Sequence, residues 1–457
     1  MAKSRVIVKI LEESSGSKAI SESTIASAVA NIFSAFGGGK NLLKSSKDVY
    51  IKPNAIDSKP HCYTRPDILK AMIEFFFQEG ANHVYVMENS TQNQYTRIVF
   101  EVTGYHRVLK DTGAKPIYLD EQKTETVEFP GKKGTTGYDL VTFEMPKLLV
   151  DRLIRNKDQN LYVDVPKLKT HSMAWVTLGI KNQWAFVAHK DRRFDHNYNL
   201  HSKLVDVFQV IQPDFTVIDG IEGTIYGHYP PAALAGKCVI PFHLLIGGNN
   251  TVATDIVGAR VFGYAAEEIP HIKIAIDRGL SQGVKSIDDI DVAGEDLSRF
   301  TEKYSHDLYP QFPADVTIMK GKTMACKEGC QNNPLAVMQM LSLDFHGKGE
   351  FTIVMGKGHV PAAIDNIQGP VLVAGHCAIE ETRDRLIKRL GKGKVYASDG
   401  CNNLVQTTMA LCHLMKVDVL SMVPLKASTS LGILLKAKWH KSQANVPSIM
   451  SKYIKKV

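Results

Sequence analysis

Two hydrophobic rhythms alternate along residues 1–300. Short runs rich in Val, Ile and Tyr have the length and composition of strands. The stretches between them repeat apolar residues every three or four positions, as helices do. "RVIVKIL" reads as a strand and "STIASAVANIFSAF" as the helix after it, and "FGGGK" (36–40) as the glycine turn that ends that helix. "DVYIKPN" is a second strand, and "RPDILKAMIEFFFQEG" a helix that Gly80 closes. "NHVYVMEN" is a third strand, followed by one helix through "YTRIVFEVTGYHRVLKDTG" and a strand at "KPIYLD". "NLYVDVP", "FTVIDG" and "CVIPFHLLIGG" continue the series, with helices expected at 199–211, 251–262 and 268–278. This alternation predicts an α/β fold: a doubly wound, mostly parallel sheet with helices on both faces.

The rhythm lapses in an acidic, turn-rich passage near 285–312 and then restarts. "VTIMKG", "FTIVMGK", "PVLVAG" and "KVYASDG" are four further strands, with helices at "NPLAVMQMLSL", "IEETRDRLIKRLG" and "NNLVQTTMALCHLM". The expected division is a large domain over 1–300 and a smaller α/β domain over 313–457, whose end (426–457) fits no element. A chain of 457 residues is long enough for two cores.

Charge narrows the function. The net charge of +8 comes with no dense Lys/Arg run and no basic patch interleaved with aromatics, so nucleic acid is not an expected partner. A basic cleft for a carboxylate or phosphate accounts for the excess better. No segment reaches the ~20 apolar residues that span a bilayer, and the N-terminus lacks an apolar signal region. No membrane partner is therefore expected, and "SKYIKKV" reads as a solvated end. The expected compartment is cytoplasmic, where thiols stay reduced and clustered cysteines point to metal or catalysis.

Four of the seven cysteines fall at equivalent places. Cys326 and Cys330 follow the strand "VTIMKG" by a short loop, Cys377 follows "PVLVAG", and Cys401 follows "KVYASDG". In a parallel sheet the carboxyl ends of strands share one edge, so the four thiols would meet there, each before a helix start. Soft thiolates suit zinc or an iron–sulfur cluster. A CxxxC pair with two distant single ligands departs from the paired knuckles of structural zinc sites and fits one [4Fe–4S] cluster, with zinc as the alternative. The bland reading, thiols as small apolar fillers, suits Cys238 and Cys412 better; Cys62 lies on a polar loop.

Polar residues gather at other strand ends. Lys52 and Asn54 follow the second strand, Arg65 opens a helix, and Glu88 ends the third strand. "VDVPKLKTHSMAWVTLGIKN" adds Lys167, Lys169, Thr170 and His171 after a strand, then Lys181 and Asn182. Any one of these alone is more often a solvated surface residue. Together they suggest a pocket in which Lys52, Asn54, Arg65, Lys167, Thr170 and Asn182 bind an anionic substrate. Lys169, His171, Lys181 and Glu88 are the candidates for proton transfer. His189 and His196, in "AHKDRRFDHNYN", are as well explained by a solvated loop. No HExxH, Walker A, GxSxG or GxGxxG motif occurs.

"VYIKPN", "TRPDILKAMIEFFFQEGANHVYVME", "VDVPKLKTHSMAWVTLGIKN", "PDFTVIDGIEG" and "NNTVATDIVGARVFGY" occur in that order over about residues 5–280. This series resembles the domain of unknown function 362 family, which is widespread in anaerobic bacteria and archaea. The resemblance implies iron–sulfur biochemistry and marks Lys52, Asn54, Lys167, Lys169, His171, Lys181 and Asn182 as signature positions. Many relatives carry a ferredoxin-like module with two [4Fe–4S] clusters. This chain lacks its motifs and has the four-cysteine α/β unit instead.

The expectation is an iron–sulfur oxidoreductase acting on a small anionic substrate, with a ferredoxin-like electron donor and homo-oligomerisation as further expectations. The rivals are a non-catalytic electron-transfer or cofactor-maturation protein, a [4Fe–4S] Lewis-acid lyase, and a structural zinc domain beside an unrelated transferase.

Overall fold

The structure, a computed structural model, describes residues 3–13, 19–43, 48–91, 94–129, 142–195 and 198–444. His196 and the "SKYIKKV" end lie outside them. A large sheet runs from Ile290–Gly294 through Ser4–Ile10, Val239–Gly248, Phe215–Thr224, Asn160–Val165, Asp48–Pro53 and His83–Glu88 to Lys115–Tyr118. Along that path every neighbouring pair is parallel except those made by Val239–Gly248, which runs antiparallel to both its neighbours. The sheet is mixed at that strand, a reversal the sequence reading did not contain. A continuous apolar run carries no sign of its direction.

Alternation along the strands fills two layers. Val49, Ile51, Val84, Val86 and Val163 point to one side, against the helices Glu22–Ser34, Pro66–Gln78 and Tyr105–Thr112. Tyr50, Met87, Tyr162 and Ile218 point to the other, against Leu200–Val210 and Thr251–Val261. This is the period-two burial of a sheet covered on both faces. The expected helix over "YTRIVFEVTGYHRVLKDTG" is two, Thr96–Val102 and Tyr105–Thr112, because Gly104 takes a positive φ of 80° between them. "FGGGK" does turn at Gly37, but Gly38–Leu43 then forms a further helical turn.

The smaller sheet is parallel throughout, in the order Val316–Lys320, Phe351–Met355, Val371–Ala374, Val395–Ser398. Asn332–Phe345 and Leu404–Leu414 cover the face carrying Ile353, Met355 and Leu372, whereas Val354 and Val373 face the other side with Ile364 and Leu386. The passage near 285–312 is not only a crossing, since its Ile290–Gly294 is an edge strand of the large sheet. The chain beyond 426 then turns back: Ala427–Trp439 packs its Ile433, Leu434 and Ala437 against Tyr95, Ile98 and Val102 of the large unit. The last helix thus sits on the large unit, not on the small sheet it follows in sequence.

The two units meet through polar ties. Lys59 bridges to Asp344 at 2.6 Å with both side chains largely shielded, and Asp344 also accepts from the Ala233 N–H. The Asn332 amide donates to the Ser172 carbonyl at 2.6 Å, and Gln339 donates to the carbonyls of Tyr309 and Gln311. Charged hydrogen bonds in such half-dry settings are worth more than surface pairs. Asp344→Ala is expected to lower unfolding stability by about 2 kcal/mol, read from urea denaturation. An unchanged midpoint would show that this tie contributes nothing.

Candidate functional site

Strand order explains where the polar residues collect. From Asp48–Pro53 the chain winds outward to His83–Glu88 and Lys115–Tyr118; Asn160–Val165 joins on the opposite side. Between Asp48–Pro53 and Asn160–Val165 the winding reverses, and a crevice lies beyond the ends of these two strands, which stay paired to Pro53 and Val165. Two bonds to the Val165 carbonyl close its floor, from the Asn54 N–H at 3.2 Å and the Thr64 hydroxyl at 2.6 Å.

A hydrogen-bonded network lines this crevice. The Lys52 ammonium donates to Asn182 Oδ1 at 3.0 Å and the Pro53 carbonyl at 3.1 Å, and pairs with Glu88 at 3.1 Å. Asn54 Nδ2 donates to the same Asn182 oxygen at 2.9 Å, and its Oδ1 accepts from Lys169 at 2.7 Å. Asn182 Nδ2 donates to Asp164 at 2.7 Å. The K-P-N, K-x-K and K-N elements are therefore one network spanning three strand ends. Glu88 is saturated, its oxygens also taking the N–H groups of Ala55 and Asn89 at 2.7 and 2.8 Å. Its geometry is that of a fixed counter-charge.

Lys181 stands beside this network on the short helix Gly179–Asn182. Asp255 holds that helix in place, its two oxygens accepting the Gly179 and Ile180 N–H groups at 2.7 and 2.8 Å. Lys181 is only 7% exposed. Burial, followed by the positive charges of Lys169, Lys52 and Arg192, pushes its ammonium down to about 7, and among the described residues no carboxylate pairs with it. Lys169 is pushed down less, to about 8, chiefly by burial, and it has bonds to Asn54 and to the Cys62 carbonyl. Uncompensated positive charge therefore concentrates at Lys181.

Lys181 lines a cavity of about 190 Å³ together with Lys52, Asn54, Glu88, His171 and Asn182. Two backbone N–H groups, of Met173 and Ala174, point at His171 Nδ1 from 3.1 and 3.2 Å. The neutral ring thus keeps its proton on Nε2 as a donor. His228 stacks on it with centroids 3.7 Å apart. The opposite wall belongs to the small unit: Asn333, Val337 and Met340 from one helix, Leu404 from the start of another and Asn402 from the turn before it. The Asn402 Nδ2 is buried with no hydrogen-bond partner among the described residues. The cavity sets the Lys52, Lys181 and Arg192 cations and the Asp57 and Glu88 carboxylates beside the apolar Val337, Met340 and Leu404 of the small unit.

The sequence reading brought six of the cavity residues into view and placed others nearby. Arg65 points away, paired with its neighbour Asp67 at 2.5 Å. Lys167 is neutralised by Asp219 at 3.0 Å, and Thr170 accepts the Gly227 N–H. "KLKTH" follows the strand Asn160–Val165, as expected, and itself forms the strand Lys167–His171, so Lys167, Lys169 and His171 share a side. Arg192 and His228 were missed. Arg192 sits in "HKDRRFD", which looks like a solvated helix but is 5% exposed here, donating to the Asn89 and Ser90 carbonyls.

The helix walls lead to the cysteines. Cys330 immediately precedes the helix Asn332–Phe345, and Cys401 lies in the turn before Leu404–Leu414. Cys326 and Cys377 each raise the Cys330 thiol, after burial, which together bring it to about 11. The turn carrying Cys377 bonds to the loop of Cys401, with the His376 N–H 2.6 Å from the Gly400 carbonyl. A Cβ on Gly375 would come within 3.0 Å of the Cys330 Cβ, so only glycine lets these turns approach. Among the described residues no three His, Cys, Asp or Glu side chains group closely enough to hold a single metal ion. The Cys326 and Cys330 thiols, raised first by burial and further by neighbouring thiols, lie with Cys377 on one partly buried cradle that nevertheless suits, in donor chemistry, a thiolate-bound group larger than one ion. Cys238 and Cys412 are core residues as expected; Cys62, expected on a polar loop, is fully buried.

Residues 49–260 match the model of the family described as domain of unknown function (DUF362), and the matched stretch includes the cavity-lining Lys52, Asn54, Lys181 and Asn182. A curated relative, a thylakoid-associated protein of Synechocystis sp., is 28% identical over 194 residues, which is 40% of this chain and 55% of that protein. The chain thus spans about half the length of that relative. A crystal structure of a Thermotoga maritima protein aligns over 90% of this chain and 94% of its own at a TM-score of 0.34 and 10% identity.

Gly179→Ala tests the placement of Lys181. The added Cβ would meet the Thr251 methyl at 2.5 Å and Asp255 at 3.0 Å. It should displace the short helix, lower stability by about 1–3 kcal/mol and weaken anion binding. A variant equal to the native chain in both would contradict the positioning described.

Proposed function

We propose that this chain is an iron–sulfur oxidoreductase that holds a small anionic substrate at Lys181, beside one [4Fe–4S] cluster bound by Cys326, Cys330, Cys377 and Cys401. The observation that supports it most is the construction of the cavity. One wall presents an ammonium without a counter-charge among the described residues, and the other is made by helices that start just after two of the four thiols.

Each residue then has a stated task. Lys181 pairs with the substrate's carboxylate or phosphate and, with its proton held near neutrality, exchanges that proton with the substrate. His171 donates from Nε2 to a second substrate oxygen. Lys52, Asn54, Glu88, Lys169 and Asn182 fix the geometry around Lys181. Val337, Met340 and Leu404 cover the apolar part and exclude water. The cluster, when bound, supplies single electrons, and a ferredoxin-like partner fits its half-exposed side. Reduced thiols require a reducing compartment, and the cytoplasm is the reading adopted.

Protein prepared without oxygen should carry about four iron and about four sulfide per chain. Cys377→Ser and Cys401→Ser should each lose them while the fold persists by circular dichroism. Stoichiometric zinc without iron would replace the cluster by a zinc site. A full complement in both variants would overturn the ligand set.

A further inference from the structure

Seven large hydrophobic side chains are left exposed among the described residues, and five of them fall between 420 and 439: Leu420, Val423, Leu431, Leu435 and Trp439. The last three are spaced four apart on the helix Ala427–Trp439 and form one stripe along it. They are 59%, 61% and 84% exposed. The helix cannot turn this stripe inward. Its opposite face is committed to Tyr95 and Ile98, and the residues after it are bonded to the large sheet's edge. There Ser442 bonds to Asp120, and the Gln443 N–H donates to the Asp120 carbonyl at 2.7 Å.

Charge says what covers it. Residues 419–457 contain seven lysines and no Asp, Glu or Arg, and so carry most of the chain's net +8. Lys436, Lys438 and Lys441 are exposed around the stripe. A second copy docking here would bring the same lysines together, which is unfavourable. An anionic surface would be attracted to them, and an apolar layer beneath it would receive Leu431, Leu435 and Trp439. No described helix is long and apolar enough to cross a membrane. A short helix with an apolar stripe, a terminal Trp and flanking lysines is suited to lie in the headgroup layer.

We propose that the outer face of Ala427–Trp439 docks this protein peripherally on an anionic lipid bilayer. The earlier expectation of no membrane partner rested on the lack of a spanning segment, which does not bear on surface binding. The lysines bring the helix to the headgroups, and the three apolar side chains anchor it.

The test is co-sedimentation of the full chain with vesicles of phosphatidylcholine mixed with phosphatidylglycerol, against vesicles of phosphatidylcholine alone. Binding is expected to the mixed vesicles only, and to fall as salt is raised. The double variant Leu435→Ser, Trp439→Ser should bind about tenfold more weakly or worse with an unchanged melting temperature, since both side chains are exposed. Undiminished binding by the double variant, equal binding to both vesicles, or no sedimentation with either would overturn the proposal. A lipid-free dimer that the double variant abolishes would overturn it in favour of a second copy.

Discussion

An ammonium group taken out of water is destabilising unless a negative charge or a full set of acceptors replaces the lost hydration. At the crevice of the large sheet this chain buries several lysines and compensates nearly all of them. Lys167 has Asp219, Lys52 has Glu88 and Asn182, and Lys169 has Asn54 and a carbonyl. Among the described residues Lys181 has burial and like charges and no carboxylate partner. The surrounding architecture can be understood from that imbalance. The saturated network holds the other cations still, Asp255 fixes the helix that carries Lys181, and the second unit closes the space above it.

That arrangement stores an electrostatic demand which an anionic ligand satisfies. The cost of holding Lys181 uncompensated is borne in the ligand-free state, so an arriving anion gains from a site already dry and oriented. The contribution of the second unit is equally specific. It supplies the apolar wall and, at Asn402, an amide Nδ2 without a partner among the described residues, and it brings the cysteine turns to the same sheet edge as its helix starts. The proposed chemistry depends on this convergence of two strand-end sites.

Much of the architecture could be read from residue patterns. The four strands of the small sheet and their helices follow directly from short β-branched runs between helical periods. The direction of Val239–Gly248 did not, because pairing partners far apart in sequence decide it. Among the site residues, motif spacing drew attention to Lys52, Asn54, Lys169, Lys181 and Asn182. It could not separate those that bond to each other from Lys181, which bonds to none of them, since that depends on side-chain directions set by tertiary contacts. Arg192 was illegible for the opposite reason: its charged neighbours look solvated, and only packing against the Asn89 and Ser90 carbonyls reveals its burial.

The most direct measurement is calorimetric titration of the full chain with a small carboxylate such as benzoate across pH, in the native chain and in Lys181→Met. Binding requires the ammonium, whose ligand-free value lies at about 7. Above that value each binding event must take up a proton, so affinity should weaken by up to about tenfold per pH unit. Below it, affinity should level off. Lys181→Met should bind weakly and without this pH dependence. Equal, pH-independent affinity in both proteins would contradict the account, because the uncompensated charge at Lys181 would then have no part in recognition.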